Sequence, residues 1–163
     1  MAGLGVLARR AGRLDEALEL VEAAYAMLDL KAERVAPHGQ AVMLAQLSRV
    51  WVARADLAKA REHSRQAVEL ALATDDMPVA AGIVESLADV ELLAGDAVLG
   101  AHTLGLAAAM RGIQAIPDSD VRRSHDRLRE ALGDDGFEAA YATGAELTRD
   151  EATAELRERT APA

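Results

Sequence analysis

The chain of 163 residues carries 27 acidic against 18 basic side chains, a net charge of −9, and holds 37 Ala and 22 Leu beside four aromatic rings. Its length suits one domain, its Ala and Leu favour helix over sheet, and its acidity argues against the basic surface that nucleic-acid binding needs. With no Cys it has no disulfide framework, thiolate nucleophile or zinc finger.

In chain order, a short helix runs to about Ala11 and ends at Gly12. Leu14 to Leu30 follows, with Leu14, Leu18, Val21, Tyr25 and Leu28 forming an amphipathic stripe. Pro37 restarts the chain, and Val42 to Ala53 reads as helix with Leu44, Leu47 and Trp51 on one face. Asp56 caps a helix from Leu57 to about Ala73. Asp75 or Asp76 caps the next, which has Pro78 in its first turn and stops at Gly95. Asp96 caps a helix ending near Arg111 and Gly112. Three shorter helices follow Pro117: Ser119 to Leu132 stopped by Gly133, Asp135 to Thr143 stopped by Gly144, and Arg149 to Arg159. The last opens on Thr148 with Glu151 three residues on, a capping-box spacing.

None of these helices is a membrane span. The longest apolar stretch, Leu99 to Met110, is 12 residues and includes His102 and Thr103, whereas a span takes about 20. Near the start, Leu4, Val6 and Leu7 precede Arg9 and Arg10, the reverse of a secretory signal. A cytoplasmic location is expected. Arg outnumbers Lys 16 to 2, which suggests a GC-rich genome.

A repeat runs through the first two-thirds. Ala11-Gly-Arg-Leu-Asp-Glu-Ala17, Arg54-Ala-Asp-Leu-Ala-Lys-Ala60 and Ala94-Gly-Asp-Ala-Val-Leu-Gly100 each close an apolar helix and open the next. Small residues flank each turn in one register: Gly5, Ala17 and Ala24; Ser48, Ala60 and Ala67; Ala88, Gly100 and Ala107. Such residues let two antiparallel helices approach closely. These features resemble the tetratricopeptide repeat, although the spacings of 43 and 40 residues exceed the ~34 of the standard unit. The closing proline and early tryptophan of that family are also missing. The resemblance implies an all-α array of three helix pairs over 1–116, with a helical carboxy-terminal cap over 117–163, in one structural domain.

The tail carries a second resemblance. Leu104-Gly-Leu-Ala-Ala-Ala-Met-Arg-Gly112, Asp118-Ser-Asp-Val-Arg-Arg123, Arg129-Glu-Ala-Leu-Gly133, Phe137-Glu-Ala-Ala-Tyr141, Gly144-Ala-Glu-Leu-Thr148 and Glu151-Ala152 resemble the carboxy-terminal end of large actinobacterial regulators of the SARP and LuxR types. The likeness covers about Ala81 to Leu156. It implies a signal-integrating or autoregulatory segment, with no counterpart here of the family's DNA-binding and ATPase motifs.

Catalytic constellations are mostly missing: the chain contains no P-loop, strand-associated dinucleotide fingerprint or nucleophile elbow. His38, His63, His102 and His125 lie too far apart in sequence to share a helix face. Glu85 and Asp89, one turn apart with Glu91 nearby, suit metal binding or proton sharing, a solvated acidic face, or a groove. The tetratricopeptide resemblance favours the groove, because the first helix of each repeat lines a concave face. It assigns to that face Arg9 and Arg10, then Arg49, then Glu85 and Asp89, with Val42, Val52, Leu92 and Leu93 as apolar steps. A peptide or partner helix needs such a mixture of charges and apolar pockets. The expected function is therefore protein–protein interaction or regulatory sensing, with no enzyme activity and no cofactor or metal, in a piece of a transcriptional regulator. The alternative is a stand-alone scaffold or oligomerisation protein. Leu4 and Leu7, apolar on a first helix that the pattern leaves without a preceding repeat, suggest a homodimer.

Overall fold

In the computed structural model, residues 2–29, 37–74, 76–112 and 118–161 are described. Leu30, Asp75, Pro117 and the 116/117 boundary, all named by the sequence reading, lie outside them. The described residues form eight helices: α1 (Ala2–Arg10), α2 (Leu14–Asp29), α3 (Pro37–Ala53), α4 (Leu57–Leu72), α5 (Met77–Leu93), α6 (Ala97–Arg111), α7 (Ser119–Ala145) and α8 (Arg149–Thr160). The fold is all-α, with a repeat-like arrangement and a short carboxy-terminal helix.

The three repeated turns share one backbone solution. Gly12, Ala55 and Gly95 all take left-handed φ, at 76°, 57° and 86°. One residue later Arg13, Asp56 and Asp96 donate their amides back to the carbonyls of Ala8, Trp51 and Glu91, at 2.9, 3.0 and 3.0 Å. This bond and the left-handed residue before it are the marks of a Schellman stop. Asp56 and Asp96 also cap the next helix, accepting from the amides of Lys59 and Leu99. One short segment thus ends one helix and starts its antiparallel partner.

Each turn joins helices held close by the small residues of the repeat. The Ser48 hydroxyl donates to the Ala60 carbonyl at 2.9 Å. A methyl on Gly5 would meet Val21 at 2.6 Å and the Ala17 carbonyl at 3.4 Å, and one on Gly100 would meet the Ala88 carbonyl at 3.1 Å. The three contacts occupy equivalent places in α1·α2, α3·α4 and α5·α6. Ala24 departs from the pattern, being only half-buried. The hairpins stack through α1, α3 and α5 on one side, and α2–α3 and α4–α5 also pack. The principal apolar core, with Leu44, Val68, Val84, Leu106 and Met110, runs between them and takes Ala152 and Leu156 from α8.

Two boundaries differ from the sequence reading. Helix α3 begins at Pro37, five residues before Val42, because proline is accommodated at the start of a helix. The stop read at Gly133 is present, its φ of 72° and ψ of 165° breaking α7 into two helical segments. Gly144 stops nothing: it is buried against Gly105 of α6, where an added methyl would stand 2.7 Å from the Leu106 amide. The capping box of α8 is present, with the Thr148 amide donating to Glu151 at 2.8 Å and the Glu151 amide to Thr148 at 3.3 Å.

Candidate functional site

The repeat pattern directs the charged residues of α1, α3 and α5 toward one face, and α7 lies on that face. Asp118 caps α7 by accepting from the amides of Asp120 and Val121. The first turn that this cap fixes carries Asp120 to the end of α1. There Arg9 donates to the Asp120 carboxylate at 2.6 Å and Arg10 at 2.9 Å. One turn on, the Ser124 hydroxyl donates to Asp89 of α5 at 2.8 Å, and Arg127 stands 3.7 Å from the same carboxylate. Leu128 then enters an apolar cluster with Ala88, Leu104 and Phe137, against which Leu92 packs.

The sequence-named residues therefore gather on one face, but not around an open groove. Arg9 and Arg10 of α1 share Asp120, and Arg49 and Asp89 are buried beneath α7. Glu85 is buried and accepts from Arg111 of α6 at 2.7 Å. Glu85 and Asp89 thus have separate cationic partners, and Leu92 belongs to the contact with the tail. The reason is physical: α7 supplies a carboxylate for the two arginines, a hydroxyl for Asp89 and a leucine for the apolar steps. Sequence reasoning missed Asp120, Ser124 and Arg127. Their signal was an arginine-rich segment, Arg122 to Arg129, in a chain of net charge −9.

Charged contacts join α7 to α1 and α5, beside its apolar packing on α6. Burial alone would raise the Asp120 carboxyl, but the Arg10 and Arg9 contacts outweigh it and hold the group at about 2. Burial lowers Arg9 despite its ion pair with Asp120, and the hydrogen bond to Asp120 raises Arg10. Burial pushes Asp89 above the usual carboxylate range, against the Ser124 hydrogen bond and the charges of Arg49 and Arg127. Between the helices remains a polar cleft of about 270 Å³, whose lining includes Arg9, Arg49, Asp89, Asp120, Arg123 and Arg127. Arg49 stands out in it, being 7% exposed with no acceptor for its guanidinium among the described residues and a buried, unpaired Nε.

A second cavity, of about 560 Å³, is lined by residues of α4, α5 and α6 and by Arg159 and Thr160 of α8. Glu91 lines it, ion-paired to Arg159, with its second carboxylate oxygen buried and unpartnered. Burial pushes this carboxyl up to about 7 against the Arg159 charge. His102 is bridged between Thr143 of α7 at 2.7 Å and Glu155 of α8 at 2.8 Å. The other rings are structural. Phe137 is buried and stacks on Tyr141 at 5.7 Å, and Trp51 is buried beneath the Lys59 ammonium, 3.9 Å above its ring. Leu4 and Leu7 are each 58% exposed on α1.

No family model and no solved structure matches the chain. Similar curated proteins are named as regulators. A protein of Mycobacterium tuberculosis strain H37Rv and one of Mycobacterium bovis, each named "putative HTH-type transcriptional regulator", are 32% identical to the chain over 194 aligned positions. The alignment covers 94% of this chain and 21% of each relative. The chain thus spans about a fifth of the length of the curated relatives it matches. Among the described residues no helix is long and apolar enough to cross a membrane.

Proposed function

We propose that the chain is a regulatory, protein-interaction segment of a cytoplasmic transcriptional regulator. One observation carries this reading: nearly the whole chain aligns with part of proteins named as regulators. The SARP-type and LuxR-type resemblance of the tail and the tetratricopeptide-like turns support it. The reading is of binding, not catalysis, since Glu85, Asp89 and Asp120 are each engaged by arginine or serine contacts that hold helices together. A protein or peptide partner would take the face of α1, α3 and α5 in exchange for the first half of α7, meeting Arg9, Arg10, Arg49, Glu85, Asp89 and Leu92. A second copy of the chain would meet Leu4 and Leu7.

Chromatin immunoprecipitation tests the regulatory role. The chain is tagged at its own chromosomal locus, as part of whatever polypeptide carries it, and the crosslinked DNA is sequenced. Discrete enrichment at promoter regions is the expected result. Enrichment no greater than an untagged control would replace this reading with that of a stand-alone scaffold.

A further inference from the structure

The cleft under α7 concentrates positive charge in an acidic protein. Arg9, Arg49, Arg123 and Arg127 line it together with two carboxylates, Asp89 and Asp120. Asp120 is shared with Arg10 as well as Arg9, and Asp120 and Asp89 both feel the Arg49 charge, so two carboxylates serve more guanidinium groups than they can neutralise. Arg49 is the decisive residue. A guanidinium withdrawn from bulk water is costly unless its donors are paired, yet no described residue accepts from it and its Nε is buried without a partner. Asp89 is near enough to feel its charge but spends its short hydrogen bond on Ser124. The arrangement is a planar, five-donor fork at the wall of a small cleft with three more guanidinium groups around it. Such forks match the paired oxygens of phosphoryl and carboxylate groups.

We propose that this cleft binds a small oxyanion, the phosphoryl or carboxylate group of a metabolite, with Arg49 as its principal donor. The volume of about 270 Å³ admits such a group and is at the lower edge of ordinary ligand pockets, ~300–1,000 Å³. The lining comes from both sides of one junction: Arg9 and Arg49 belong to the hairpins, Arg123 and Arg127 to α7. A bound oxyanion therefore bridges α7 to the helices beneath it and holds the face closed. The site gives the chain a small-molecule input that the interaction reading does not contain, and it stands whether or not the chain acts at promoters.

The test titrates the full chain with inorganic phosphate, and separately with succinate, in chloride at constant ionic strength. The readouts are the Arg49 Nε–H resonance and the melting temperature. A saturable shift of the Arg49 signal with a rise in melting temperature is expected for at least one of the two. The responding anion identifies the phosphoryl or carboxylate class. Arg49→Met, which keeps an apolar stem, and Arg127→Gln, at an exposed position, are each expected to weaken binding, the former about tenfold or more as two charge-assisted hydrogen bonds are lost. Arg65→Gln, at the other cavity, is expected to bind as the parent does. If Arg49→Met does not fold, Arg127→Gln decides. The proposal is overturned if neither anion gives saturable binding, or if the parent and every folded cleft variant bind equally.

Discussion

At the scale of single residues, backbone conformation and burial each make a distinct demand. Ala55 takes a left-handed conformation where the two equivalent turns have glycine, a conformation costing an L-residue about 1 kcal/mol or more. Ala55→Gly is expected to stabilise the chain by about 1 kcal/mol, read as a higher midpoint in urea. Glu91 makes the opposite kind of demand, because burial favours its protonated form up to about pH 7. Between the ordinary carboxylate range and pH 7 the folded chain holds a proton that the unfolded chain has released. Stability therefore falls as pH rises through that window, by on the order of 3 kcal/mol for this group alone. Glu91→Gln is expected to flatten that part of the profile, checked by denaturant unfolding from pH 4.5 to 7.5. A profile unchanged by the substitution would contradict the assignment.

At the scale of elements, α6 and α7 cross at two glycines. An added methyl on Gly105 would overlap the Tyr141 carbonyl oxygen and lie 2.7 Å from the Ala145 amide. Backbone atoms cannot rotate away, so Gly105→Ala is expected to cost about 3 kcal/mol or more in a thermal or urea melt, the upper end of overpacking penalties. Gly3→Ala, in open space on α1, is the comparison and is expected to be neutral or slightly stabilising. This crossing also shows where the sequence was legible. The small residues of the hairpins were readable because neighbouring helices joined by a fixed turn impose a fixed register, as at Gly5, Ser48 and Gly100. Gly144 reads as a stop in the sequence because glycine is a common helix terminator. Its role depends on Gly105, far away in sequence, and no local pattern carries that pairing. The same holds for the site. Arg9, Arg49 and Asp89 fall on one face by repeat position, whereas the pairing of Asp120 and Ser124 with them depends on where α7 packs, which no local pattern carries.

At the scale of the whole molecule, two surfaces carry the proposed contacts with other chains. Leu4 and Leu7 form an exposed apolar pair on α1, and burying such a pair against a second copy is a common outcome. Light scattering at tens of micromolar is expected to give a dimer mass, and Leu4→Glu with Leu7→Glu a monomer; a parent monomer would remove the proposal. The other surface is the face of α1, α3 and α5, which the chain's own α7 covers through Asp120, Ser124 and Leu128. Hydrogen exchange measured by mass spectrometry tests this most directly. In the parent chain the amides of Ser119 to Leu132 are expected to be protected well beyond an isolated helix. Asp120→Ala removes the acceptor shared by Arg9 and Arg10, and is expected to lower protection there by about tenfold or more while α4 and α6 keep theirs. Fast exchange of Ser119 to Leu132 in the parent, or protection that Asp120→Ala leaves unchanged, would show that α7 does not cover this face as described.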